Sequence, residues 1–163
     1  MDATPPNAAD HLFMRRAIAL SRQAAAAGDA PYGAILVRDG AAVAEACNRQ
    51  ISDADCSAHA EMVLVRDAQR ALGAAALRGA TVYASGEPCA MCAGALYWAG
   101  VRRVVYGAPQ AAMARVMGGE LLPIASRAVL QGASTPVEVV GPCLESEALQ
   151  VLEAAAGAAQ QRG

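Results

Sequence analysis

His59-Ala60-Glu61 is followed, 27 residues after the glutamate, by Pro88-Cys89-Ala90-Met91-Cys92. An imidazole and two thiols are donors that a zinc ion takes. Three protein ligands leave one position of a tetrahedral Zn²⁺ open, which marks a catalytic centre rather than a closed structural one. A water held at such a position is acidified and becomes a nucleophile near neutral pH. Glu61, two residues past His59, is badly placed for a fourth ligand and well placed to carry protons beside the metal. The expected centre therefore has His59, Cys89 and Cys92 holding one zinc per subunit, with Glu61 as the acid–base group.

Each element alone has a plainer reading. A single C-x-x-C serves equally as a redox pair or as half of a structural zinc site. A glutamate in the first turn of a helix complements the helix dipole. The combination argues for catalysis, because a redox pair leaves His59 and Glu61 without a role. Cys47, Cys56 and Cys143 stand at no ligand spacing to the pair. Cys56, three residues before His59, would close the open position if it bound.

The elements that must carry these residues follow from pattern. Asp10 reads as the N-cap of a first helix over 11–27, ended by Gly28. Residues 34–37 form a buried strand, Asp39-Gly40 a hairpin turn, and 41–47 the returning strand. A polar loop over 48–57 precedes a second helix from about Ala58 to 72, stopped by Gly73. Residues 81–84 are a third strand. Pro88 opens a third helix over 89–99, which puts Cys89 and Cys92 in its first turn, where the dipole favours thiolates. A fourth strand over 101–106, a mixed segment over 107–135, a fifth strand over 137–140 and a last helix over 144–156 complete the order. Residues 1–10 and 157–163 are expected to be flexible. This alternation implies an α/β protein with helices on a central five-stranded sheet, and the long connection between strands four and five favours parallel pairing.

The 163 residues suit a single domain. Hydrophobic residues make up 55%, an excess that comes from alanine, so few large side chains build the core. A net charge of −2 argues against a nucleic-acid partner, which requires a basic face. Five cysteines, an odd number, suggest a reducing compartment. With no basic and apolar leader and no run long enough to span a bilayer, the chain is expected in the cytoplasm, away from membranes.

H-x-E with P-C-x-x-C is the described signature of zinc-dependent deaminases of nucleobases. The chain resembles the cytidine deaminase superfamily over about residues 12–108. Within it, the chain resembles the branch of bacterial guanine deaminases, tRNA adenosine deaminases and fungal cytosine deaminases. The resemblance implies a three-layer α-β-α sandwich with a mixed sheet, a homodimer, and hydrolytic release of ammonia from a small-molecule nucleobase or nucleoside. Gly28–Ala34 and Cys92–Ala99 look like their counterparts in guanine deaminases, which points to a guanine-type purine. The same resemblance puts the Asn48 amide and the Ala60 N–H on the base, Trp98 in the pocket, and Glu120 on the N1–H and amino group of guanine. It leaves Glu87 to organise the loop before the zinc helix. The plainer roles are a turn for Asn48, core packing for Trp98 and surface exposure for Glu120. Similar guanine deaminases end in a tail whose tyrosine completes a neighbouring subunit's pocket, whereas the last 40 residues here contain no Phe, Tyr or Trp. The wobble adenosine of tRNA, cytosine, or a triazine- or pterin-like ring therefore stand as alternative substrates. A zinc-bearing protein without activity is opposed by the intact Glu61.

Overall fold

The computed structural model describes residues 4–119, 122 and 124–163. Helix α1 (Ala8–Ala26) begins at a capping box. Asn7 accepts the Asp10 N–H at 3.0 Å, and the Asp10 carboxylate accepts the Asn7 N–H at 2.9 Å. Asp10 is thus the third residue of the helix and not its cap, because Asn7 provides the acceptor one turn earlier. Strands β1 (Gly33–Arg38) and β2 (Ala41–Cys47) are joined at Asp39-Gly40, both with positive φ (50° and 77°), as the sequence predicts for a two-residue hairpin. Helix α2 (Ala60–Leu72) is followed by strand β3 (Thr81–Gly86), helix α3 (Ala90–Ala99) and strand β4 (Arg103–Ala108).

Strand β4 lies two residues later than predicted. Gly100 takes a left-handed conformation (φ 91°), and the Val101 N–H returns to the Leu96 carbonyl at 3.1 Å. Val101 therefore closes α3 in a Schellman-type stop instead of joining the sheet. The mixed segment contains helices α4 (Gln110–Met117) and α5 (Ser126–Leu130). Strand β5 (Glu138–Val140) and helix α6 (Glu145–Arg162) follow. Helix α6 continues through residues 157–162, where fraying was expected, and α1 already begins at Ala8.

The sheet order is β2-β1-β3-β4-β5, antiparallel on the β1 side and parallel for β3-β4-β5. The mixed five-stranded sheet and the expected parallel β4–β5 pair are both present. Alternate residues divide the core. Leu36, Val82 and Val104 pack under α2 and α3, while Ile35, Val37, Tyr83 and Val105 pack under α1 and α6. The result is the expected α-β-α sandwich, with the starts of α2 and α3 both emerging beside the ends of central strands. Among the described residues no helix is long and apolar enough to cross a membrane.

One buried charge cluster ties α1 to the sheet. The Asp10 carboxylate, 1% exposed, accepts the Tyr83 hydroxyl at 2.7 Å and Arg103 at 2.6 and 2.9 Å. Burial opposes its ionisation, but the hydrogen bonds from Arg103, Asn7 and Tyr83 outweigh burial and hold the carboxyl at about 2. A depressed carboxyl stabilises the fold above its ordinary pKa of 3.8, and that stabilisation fades as pH falls through about 2. Asp10→Asn should cost about 2 kcal/mol at pH 7, the free energy carried by a carboxyl lowered from 3.8 to about 2, and it leaves Arg103 paired with Glu138 alone. Urea midpoints of the two proteins should differ at pH 7 and converge as the pH approaches 2.

Candidate active site

Helix α2 starts at Ala60 and α3 at Ala90, so His59 and Cys89 are the two N-cap residues. Both have extended backbones (ψ 153° and 174°), and neither side chain caps its own helix. The imidazole and thiol are thereby free to face each other. Cys89 stands just outside the first turn where the sequence placed it, and Cys92 within that turn completes the trio. His59 Nδ1 is 3.6 Å from each of the two sulfurs, and the three donor atoms all lie within 4.8 Å of one another. Zinc bonds of about 2.3 Å to sulfur and about 2.0 Å to nitrogen, at tetrahedral angles, separate N and S by about 3.5 Å. The donor set and its spacing therefore fit one zinc with three protein ligands. When bound, the ion would supply the positive charge that makes water a nucleophile near neutral pH.

The hydrogen bond from Cys92 is the largest influence on the Cys89 thiol. With help from His59 it overcomes burial and brings Cys89 down to about 4. Cys92, which shares that bond and is buried, is pushed far up. The two sulfurs share that bond, and both give up their protons on metal binding.

Glu61, in the first turn of α2, is 7% exposed. Burial raises its carboxyl to about 6, against the lowering effects of its own backbone N–H and of His59. A carboxyl near the working pH both takes and returns protons. Tyr32 is pushed up to about 12 by burial and then by the Glu61 charge, so it stays a neutral phenol.

These groups open into a cavity of about 390 Å³. Asn48, 1% exposed, lines it. Its Oδ1 accepts the Gln50 N–H at 3.0 Å and its Nδ2 donates to Gln50 Oε1 at 2.7 Å. Ala60 is the first residue of α2, where an N–H has no carbonyl partner within the helix. Sequence reasoning did not assign Tyr32, Gln50, Gln110 or Met113 to the site, yet all four line the cavity. Tyr32 sits within a stretch already singled out, whereas the two glutamines and Met113 carry no spacing signal.

Trp98 is a correction. It is 85% exposed and stacks edge-on against Tyr97, neither in the cavity nor in the core. Helix α3 buries Cys92, Ala93, Leu96 and Ala99, and a residue two positions after Leu96 falls on the opposite face. Glu120 lies outside the described residues.

Residues 7–108 match the family model of the cytidine and deoxycytidylate deaminase zinc-binding region. A probable cytosine deaminase of Schizosaccharomyces pombe (strain 972 / ATCC 24843) is 37% identical over 91% of this chain and 93% of its own length. A guanine deaminase of Bacillus subtilis (strain 168) is 43% identical over 59% of this chain, which spans 62% of that relative. A solved structure from studies of A-to-I editing by tRNA:A34 deaminases superposes with a TM-score of 0.71 at 34% identity, covering 86% of this chain and 98% of that one. The chain belongs to the cytidine and deoxycytidylate deaminase family: it is a zinc-binding deaminase that hydrolyses a C–N bond.

Proposed function

We propose that the chain deaminates a free nucleobase, with a guanine-type purine as the leading substrate. The observation that carries the free-base part of this reading is the composition of the cavity beside Glu61; the preference for guanine follows from the likeness of Gly28–Ala34 and Cys92–Ala99 to guanine deaminases. Among the described residues that line it there is no arginine or lysine; beyond His59, Glu61 and Cys89, its polar lining is Tyr32, Glu87 and the Asn48, Gln50 and Gln110 amides. Amides both donate and accept, which suits the edge of a neutral base, whereas a phosphodiester calls for cations.

In this reading the Asn48 amide and the Ala60 N–H hold the base edge. Its amine-bearing carbon faces His59, Cys89 and Cys92. Glu61 takes a proton from the attacking water, delivers it to the ring nitrogen and then assists the departing amine. Tyr32 and Met113 wall off bulk water. A homodimer in a reducing, cytoplasmic setting is part of the proposal: the exposed Trp98 offers a large apolar side chain for a second copy to cover, which sedimentation of the purified chain would reveal. Cytosine is the second reading, favoured by likeness to the Schizosaccharomyces pombe protein along nearly all of both chains.

The test is ammonia release by the zinc-loaded chain from guanine, guanosine, adenine, cytosine, cytidine and a tRNA anticodon stem-loop, with Glu61→Ala as blank. Guanine turnover absent from the blank is the expected result. Turnover of cytosine alone would establish the second reading, and turnover of the stem-loop alone would overturn both.

A further inference from the structure

Glu87 stands two residues before Cys89 and is 8% exposed. Its carboxylate accepts three hydrogen bonds from the first residues of two helices. Oε2 accepts the Gln110 N–H at 3.0 Å, and Oε1 accepts the Ser126 N–H and the Ser126 hydroxyl, each at 2.9 Å. Gln110 is the first residue of α4 and Ser126 the first of α5. The Gln110 amide adds bonds to the Pro88 carbonyl at 3.0 Å and the Ile124 carbonyl at 3.1 Å. One carboxylate thus fastens three backbone segments: the loop that presents Cys89 and the starts of α4 and α5.

The fastened segment is the outer wall of the cavity. Helix α4 and the residues after it contribute Met113, Ala114, Met117, Gly118 and Leu122. Helix α4 buries only Ala112 fully, with Met113 and Val116 half-buried against the core beside α6, so the Glu87 bonds add a second anchor at its start. Both Glu87 oxygens are engaged by protein donors. A glutamine here would keep one acceptor and turn an NH₂ group against an N–H donor.

We propose that Glu87 is a positioning residue for deamination. It holds the α4 wall at a fixed distance from His59, Cys89 and Cys92, so that the base is pressed toward Glu61. This rests on reading the cavity as the base site.

The test uses Glu87→Gln in the zinc-loaded full chain. Zinc should remain at one per chain, and kcat should stay within about threefold. Loss of one buried hydrogen bond should raise amide exchange across residues 110–117, and KM for the base that the wild type turns over, by about tenfold. Exchange across β3 and α3 should be unchanged. Ser126→Ala removes one bond of three, and about a threefold rise in exchange over 126–130 is expected. That arm decides the question should Glu87→Gln fail to fold. Unchanged exchange in either variant, loss of zinc, or a fall in kcat at constant KM would overturn the proposal. A wild type that turns over no base on the panel would sink the cavity's assignment, while the exchange measurement would still decide the clamp.

Discussion

Glu61→Gln should retain one zinc per chain and release ammonia about 10³-fold more slowly or worse, the scale of losing a positioned acid–base group. The amide keeps the size of the carboxylate, so the cavity and the His59–Cys89–Cys92 trio are left in place. What disappears is a group whose pKa burial has raised to about 6. An amide neither accepts a proton from water nor hands one to a ring nitrogen. The variant should be no less stable than the wild type, because a buried carboxylate is costly to ionise and a neutral amide is not. Steady-state ammonia release, metal analysis and a urea midpoint on the same preparations separate these effects. Loss of zinc together with activity would assign Glu61 to the metal instead of to proton transfer.

Cys92→Ala should remove both zinc and turnover. Cys92 is fully buried in the first turn of α3, and its sulfur is one of only three donors in the described trio. With one donor gone, two ligands remain for an ion whose sites use at least three. Zinc that binds only the folded wild type at about a thousandfold above its Kd should stabilise it by about 4 kcal/mol. The same addition should leave the variant's unfolding midpoint unchanged. The truncation itself leaves a small void, and its cost of about 1 kcal/mol lets the variant fold for the comparison. A variant that still responds to zinc would show that another side chain replaces Cys92.

The trio and Glu61 were legible because metal chemistry restricts residue types and because two helix starts fix their spacing. The β1–β2 hairpin was legible for a similar reason: Asp39-Gly40 satisfies two positive φ values that few other pairs accept. Boundaries failed where a competing local bond decided them. Asn7 took the cap from Asp10, and Val101 closed α3 before β4 could begin. Trp98 was misplaced by a family likeness, although counting six residues from the ligand Cys92 turns it well away from the metal face. Gln50, Gln110 and Met113 reach the cavity through tertiary folding, and nothing in their sequence spacing announces it. Helix α6 packs under β4 and beside α1 and α4, and among the described residues none of α6 lines the cavity.

Deamination at this site requires a zinc centre with three protein ligands and one position left for chemistry. Zinc K-edge X-ray absorption on the zinc-loaded chain measures this most directly. Two sulfur scatterers and two nitrogen or oxygen scatterers, one of them an imidazole, are the predicted result. A third sulfur, which Cys56 is the nearest in sequence to supply, would make the centre closed and contradict the account.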